Sequence, residues 1–504
     1  MQTPKAGRSR SDSKPGNEID AGRRRLLAGV GAAGAALLLE RSAVDAQTPS
    51  TRPVVFSHTT VVAPDAIRDD VALAIEADRI TAIGATDAIL ARYPGAEVYD
   101  GRGKALVPGL INCHAHLAAT LERGFNEDFG FPNSAHLAMR PSSLLKGDED
   151  TLMVTIGALE AIRTGTTTLV ENSGGIGRFA EALAQTGLRL VFAESVRDSE
   201  NVPGPMSPEG LARSERPRFS PKLRDEGLQR IEELFSAWHG KNQGRISVFP
   251  AAALAETASP ELLQAVRAFA EKHDLGYTIH LSQSRAEVDF MMKHHGVRPP
   301  AFLDRHGFLG PRLFAAHCRY VDAGDITLLG RSHTIISHQA AMAANRGVIP
   351  PIANGTDNNT NDLFEVMRVA LLTERISRND PFPGVTPQPE DVLADATQGG
   401  ARAVRQDTQI GLLETGRKAD LLVVDTRRAH LVPAGRFVSA WIHNGQPSDI
   451  ESVMIDGRFV MRDRKILTVD EQRIVTEADK VGKRIWTQVL AAGPLQIPRL
   501  PRPQ

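Results

Sequence analysis

Cysteine is almost missing from this chain of 504 residues: there are two, Cys113 and Cys318, alongside three tryptophans, four tyrosines and an aromatic share of 5 %. So few thiols exclude a disulfide scaffold and any site built from four cysteines. Neither sign of charge is in excess, with 59 lysines and arginines against 60 aspartates and glutamates. The basic residues are scattered among acids rather than grouped into a stripe, which argues against a nucleic-acid groove. Long apolar runs are also missing. The Ala/Gly/Leu run behind Arg23-Arg24-Arg25-Leu26-Leu27 stops at Leu39, too short to span a bilayer. With Ala43-Val44-Asp45-Ala46 after it, the stretch reads as a twin-arginine signal peptide, giving a periplasmic or secreted mature protein from about Gln47 with no membrane attachment.

What remains has a clear order. From Pro53 to Val107 short alternating segments such as Val54-Val55-Phe56 and Ile80-Thr81-Ala82-Ile83 predict β-strands, and segments of the same character return at 411–425 and 453–460. Two β-rich pieces that bracket a long middle predict one discontinuous β-sandwich. The middle alternates apolar strands with amphipathic helices, the pattern of a parallel sheet covered by helices. After a strand at 107–117 and a lid-like stretch at 118–146, strands are expected at 166–170, 188–193, 246–250, 276–281, 312–317, 333–337 and 352–356. Helices are expected at 149–163, 227–238, 260–273 and 285–294, with a proline-bearing insertion at 197–226. This is enough for a (β/α)₈ TIM barrel, whose chemistry sits at the C-terminal ends of its strands.

Polar residues collect at those ends. His114 and His116 alternate onto one side of the first strand, His280 ends the fifth, His317 the sixth, and Asp357 follows the last. One imidazole in such a place is most often a satisfied core residue. Several at the ends of different strands fit a metal, and zinc, iron and nickel all accept imidazole nitrogen. Both cysteines neighbour such a histidine, so strand alternation turns their thiols away from it. They lie on distant strands and read as small buried hydrophobes rather than a disulfide.

The chain resembles the amidohydrolase superfamily, in particular its branch of aminohydrolases that holds guanine, cytosine and adenosine-type deaminases and the s-triazine hydrolases. The matching segments are Pro108 to Leu117, Arg123-Gly124 with Glu127-Asp128, Gly165 to Thr168, His280-Leu281, Ala316-His317-Cys318, Gly355-Thr356-Asp357 and Gly416 to Asp420. The resemblance implies that His114, His116, His280 and Asp357 bind one divalent metal, Zn²⁺ or Fe²⁺. It places His317 beside the activated water, with His317 and Asp357 moving its proton to a leaving amine. The expected function is hydrolysis of a non-peptide carbon–nitrogen bond in a small heterocycle or amide. Hydrolytic dehalogenation or ester cleavage on the same site is the alternative, and a non-catalytic remnant is the reading from another class.

Two departures from the family pattern matter. Many of its deaminases carry a glutamate three residues after the fifth-strand histidine, where this chain has Gln283, which cannot act as an acid. The stretch from Gln339 to Pro351 shows no helical apolar period, so the helix between strands seven and eight is expected to be missing. The wall left bare there would need a cover, for which a second copy of the chain is one candidate; the other expected partner is a small-molecule substrate. No lysine occurs in 246–271, so the metal-bridging lysine of two-metal relatives is absent and a single metal is expected. Glu256 reads as a solvated loop carboxylate and Glu287 as a helix-surface acid. Gln283, His338 and Arg123 are candidate substrate contacts, His136 is a further lid residue, and Glu171 and Glu194 are candidate acids behind the ligands. The expected organisation is a signal peptide over 1–46, sandwich segments over 47–107 and 405–472, the barrel over 108–404, and a helix with a proline-rich tail over 473–504.

Overall fold

A computed structural model describes residues 52–493 and 495, apart from 64–65, 130–135, 203–207, 340–351, 359 and 379–384. The signal peptide, the missing-helix segment and nearly all of the proline-rich tail lie outside the described residues.

The alternating N-terminal segments form β1 (Val54–Val62), β2 (Ile67–Glu76), β3 (Arg79–Ala85), β4 (Glu97–Asp100) and β5 (Lys104–Pro108). The middle contributes the parallel strands β6 (Leu110–Ala115), β7 (Thr166–Ser173), β8 (Arg189–Val196), β9 (Ile246–Leu254), β10 (Tyr277–Leu281), β11 (Leu313–His317), β12 (Ile335–His338) and β13 (Ile352–Asn354). The C-terminal part supplies β14 (Leu421–Asp425), β15 (Ile450–Ile455), β16 (Arg458–Arg462) and β17 (Lys465–Ile466). Several barrel strands run further than their apolar cores suggest; β9 continues four residues past Pro250, because Ala251 and Ala252 pair as readily as larger side chains and Leu254 pairs again after a register shift at Ala253. Helices Glu149–Arg163 and Arg285–His295 fall where the periodicity puts them. The insertion is shorter than expected, since helix Pro221–Trp238 already starts within it, capped by Ser220, whose hydroxyl accepts from Leu223 N–H.

The eight middle strands follow chain order from β6 to β13. Closure comes just past β13, where Thr356 and Asp357 N–H both donate to the His114 carbonyl at 2.9 Å and His116 N–H donates to the Asp357 carbonyl at 3.2 Å. The remaining nine strands form one sheet, in the order β17-β16-β15-β14-β5-β1-β2-β3 with β4 on β1. β1 and β16 are four spacings apart in it, roughly 19 Å if the sheet were flat. Their Phe56 and Phe459 rings instead lie 6.4 Å apart, with Tyr99 against both, so the sheet curls over and encloses its own core.

The Gly416–Asp420 segment ties this sheet together and to the barrel. Gly416 N–H donates to the Ile80 carbonyl, Lys418 pairs with Asp78, and Asp420 accepts two hydrogen bonds from Arg189 at the foot of β8, at 2.8 and 3.1 Å. Asp456, in the β15–β16 turn, takes a third at 2.6 Å. Burial opposes the charge on Arg189, but the two carboxylates outweigh it and push the guanidinium pKa up. Helix Glu471–Ala492 runs along helix Glu149–Arg163 from the strand feet, where Glu471 pairs with Arg163, to the other end of the barrel; it buries Ile474, Ala478, Val481, Ile485 and Val489, and Trp486 Nε1 donates to the Leu121 carbonyl at 2.8 Å. The segment after His116 is thereby anchored. Among the described residues no helix is long and apolar enough to cross a membrane.

Because Arg189, Asp420 and Asp456 are all at most 3 % exposed, removing the cation leaves the buried Asp420 without its ion-pair partner beside Asp456, which keeps Lys418 at 3.3 Å and Arg245 at 3.9 Å. Arg189→Met is expected to cost about 3–5 kcal/mol. Urea denaturation checks this; an unshifted midpoint would refute the role of the cluster.

Candidate metal centre

The strand ends bring His114, His116, His280, His317 and Asp357 together. Among the described residues two groups of metal-ligating atoms converge, His114 with His116 and His280, and His114 with His317 and Asp357, each within 4.8 Å. His116 Nε2 lies 3.2 Å from His280 Nε2 and 3.4 Å from Asp357 Oδ1, while His114 Nε2 lies 3.9 Å from the same oxygen. The rings are held from behind. His280 Nδ1 faces the Ala253 carbonyl at 2.7 Å, so Nδ1 carries the proton and the Nε2 lone pair is free. The His116 ring bonds the Asn172 carbonyl, again with Nε2 turned to the cluster. The Asn172 amide lies 3.4 Å from His114 Nδ1. Its Oδ1 is buried without a partner, and turned to accept from Nδ1–H it frees His114 Nε2 in the same way.

Electrostatics suit the same role. Burial, reinforced by neighbouring imidazoles, holds His114 and His317 well below the usual histidine range. Burial with the nearby His280 takes His116 down to about 3, and burial alone takes His280 to about 4. All are neutral at pH 7 and present lone pairs rather than protons. Burial pushes the Asp357 carboxyl up to about 7. A carboxylate and several neutral imidazoles, crowded with their free nitrogens inward, are short of one positive charge. His114 Nε2 is buried with no protein partner, as an atom reserved for a ligand would be. The donor set therefore fits a divalent metal of the zinc or iron type.

Several residues that position this cluster were not singled out from the sequence. Asn112 Oδ1 accepts from His114 N–H and Thr356 N–H, both at 3.2 Å, and its Nδ2 donates to Thr356 Oγ1 at 2.8 Å. Gly355 is required by close approach, since a Cβ there would come within 2.8 Å of His114 Cβ. His317 has φ +74°, and Cys318 N–H reaches back to the Ala316 carbonyl at 3.2 Å, a γ-turn of the strained positive-φ kind. Backbone of this sort costs about 1–3 kcal/mol and persists only where its surroundings impose it. Here Gln339 Oε1 accepts from His317 N–H at 2.6 Å. A polar residue directly after a strand-end histidine was the one signal available for it.

Two acids need correction. Glu256 and Glu287 are each 1 % exposed, not a solvated loop carboxylate and a surface acid. Glu287 lies in the first turn of its helix and reaches back to Ser282 and Gln283 N–H at 2.7 and 2.8 Å; the Ser284-x-x-Glu287 spacing is a capping signature. Burial raises both carboxyls, Glu256 to about 7 and Glu287 well above the usual carboxylate range, with Glu256 adding to the rise at Glu287. Glu171 accepts from Leu117 N–H at 2.9 Å and so braces the chain next to His116. Glu194 instead holds the turn after β7 through Gly175 and Ile176 N–H. Gln283 sits half-buried ahead of the Glu287 helix, three residues past His280. Arg123 pairs with Glu160 and lines a small cavity with His116, Thr120 and Asp357. His136 is exposed.

His338 is not brought into the cluster. In the regular pairing of β10 to β13, His280 matches Ala316, Ser337 and Ala353, so these face inward and His338 and Asn354 face outward. There a small cleft is lined by Ile336, His338, Ile352 and Asn354 on the strand side and by Ala370 and Glu374 of helix Leu363–Arg378, and it reaches His317. Both cysteines are buried and unpaired with each other.

Comparison with known proteins agrees with this geometry. Residues 105–460 match the amidohydrolase family, and 72–96 match the bacterial imidazolonepropionase-like composite domain. A 5-methylthioadenosine/S-adenosylhomocysteine deaminase of Syntrophobacter fumaroxidans is 33 % identical over 84 % of this chain and 95 % of its own. A 5'-deoxyadenosine deaminase of Methanothermobacter thermautotrophicus is 31 % identical over 77 % and 89 %. Among solved structures, a zinc-bound adenosine deaminase from Xanthomonas campestris superposes with a TM-score of 0.75 at 24 % identity, covering 87 % of this chain and all of that one. The atrazine chlorohydrolase of Arthrobacter aurescens, in complex with zinc, does so with 0.74 at 20 %, covering 85 % and 100 %. The chain belongs to the amidohydrolase family.

Proposed function

We propose that this protein is a metal-dependent hydrolase that replaces an amino group on a small heteroaromatic ring with oxygen, releasing ammonia. The observation that carries this reading is the meeting of His114, His116, His280 and Asp357 at the barrel mouth with His317 Nδ1 3.6 Å from Asp357 Oδ2. The first four would hold one Zn²⁺ or Fe²⁺, and no lysine occurs in β9 to bridge a second. A divalent metal bound there lowers the pKa of water from about 15.7 towards 7.

The chain's own groups then handle the protons. Neutral His317, beside Asp357, accepts the proton that water gives up, and its Nε2, which has no protein partner, delivers it to the departing nitrogen. Gln283 donates or accepts a hydrogen bond at a ring nitrogen or carbonyl but moves no proton there. The relatives named above as aminopurine nucleoside deaminases make that ring the first substrate class to test. Gln283 also favours a second reading, removal of a halide from the same kind of carbon, because chloride leaves without being protonated. We further place the mature protein outside the cytoplasm, supported by the arginine cluster and the small-residue site ending at Ala46.

Incubation with 5-methylthioadenosine, S-adenosylhomocysteine, 5'-deoxyadenosine and aminated or chlorinated s-triazines separates these readings. Ammonia release supports deamination, chloride release alone supports the second reading, and neither product from metal-loaded protein refutes both. His317→Ala should keep its metal and lose about 10²–10⁴-fold in turnover; unchanged activity would remove His317 from the mechanism. Gln283→Glu restores an acid beside the ring, so ammonia release from an aminopurine should rise at least tenfold, and a fall would show that the amide is itself required.

A further inference from the structure

We propose that Gln339 is a positioning residue that keeps His317 turned toward the reacting centre, a role that rests on the proton-handling assigned to His317 above. His317 pairs in the sheet with Leu281, whose side chain belongs to the apolar layer under the outer helices. Regular alternation would send the imidazole to that same outer side. Space is available there, since His317 already borders the outer cleft beside Ile336 and Ile352. Sterics alone therefore do not choose the inward orientation.

Hydrogen bonds on either side of the residue do. Gln339 Oε1 fixes the 316–317 peptide plane by accepting from His317 N–H at 2.6 Å. The Leu281 carbonyl fixes the next plane by accepting from Cys318 N–H at 2.8 Å. With both planes held, φ at His317 is held at +74°, and the imidazole points to Asp357. The Gln339 amide is itself pinned. It is 1 % exposed, and its Nε2 donates to Ser337 Oγ at 2.8 Å. A Cβ on Gly355 would come within 2.9 Å of that nitrogen, so the amide is wedged against the start of the Gly355–Asp357 segment. One side chain thus bridges the ends of β11 and β12 and lies against the start of the Gly355–Asp357 segment.

The test compares Gln339→Met, which keeps the length and removes the acceptor, with Gln339→Glu, which keeps an acceptor oxygen for His317 N–H and can take a hydrogen bond from the Ser337 hydroxyl. Metal content, the crystal structure of each variant and the steady-state constants for the substrate found above are measured. Q339M should retain its metal, show His317 out of the left-handed region with its ring toward the outer cleft, and lose about 10–100-fold in kcat with KM little changed. Q339E should restore the orientation and most of kcat. His317 unmoved in Q339M, or Q339E as impaired as Q339M, overturns the proposal. Should Q339M not fold, Gln339→Asn, whose amide is one methylene too short to reach His317 N–H, is held to the same outcomes. If no substrate is turned over by the unaltered protein, the functional reading fails, and the crystal structures still decide whether Gln339 orients His317.

Discussion

The site depends on one short piece of backbone pairing, the contact of His114 and His116 with Thr356 and Asp357. These hydrogen bonds close the barrel and in the same act set two histidines of the first strand against the carboxylate after the last. Asn112 doubles the seam with its own side chain, and Gly355 lets the two backbones approach. The seam is made by Thr356 and Asp357, just beyond β13, rather than by the strand itself.

Burial then defines what the cluster can do. Imidazoles this close, shielded from water, cannot all be protonated, and those of His114, His116 and His280 each have the outer nitrogen turned to a carbonyl or amide of a neighbouring strand. What is left is a set of lone pairs and a carboxylate directed at a common point, which is the requirement for a hard-to-borderline divalent cation. The buried Arg189 cluster at the opposite end of the barrel serves a different purpose. It fixes the curled sheet to the foot of β8 with charges that are already paired, so stability and chemistry are kept at opposite ends of the strands.

The clustered histidines were legible in the sequence because strand period and chain order together put each of them at a strand end. The barrel and the split sheet were legible for the same reason. Side chains that act across strands were not. Asn112, Asn172 and Gln339 carry no periodic mark, and their partners lie on other strands, so only the pairing register reveals them. Glu256 and Glu287 were misread because composition treats an acid near a turn as solvated, while the fold buries them together; the Ser284–Glu287 spacing held part of the answer. His317 does lie beside the other histidines, but strand position is an incomplete reason for it. Alternation alone would have turned it outward, and its direction comes from a left-handed backbone that no strand pattern encodes. The curl of the nine-stranded sheet is a pairing between the two ends of the chain and has no local signature either.

The account stands or falls on a single cation at one place. Elemental analysis of the purified protein, combined with anomalous diffraction at the metal edge, measures this directly. One equivalent of zinc or iron per chain is predicted, with a single anomalous peak among the Nε2 atoms of His114, His116 and His280 and the carboxylate of Asp357. Two peaks, a peak elsewhere, or protein that stays metal-free after reconstitution with either ion would contradict it.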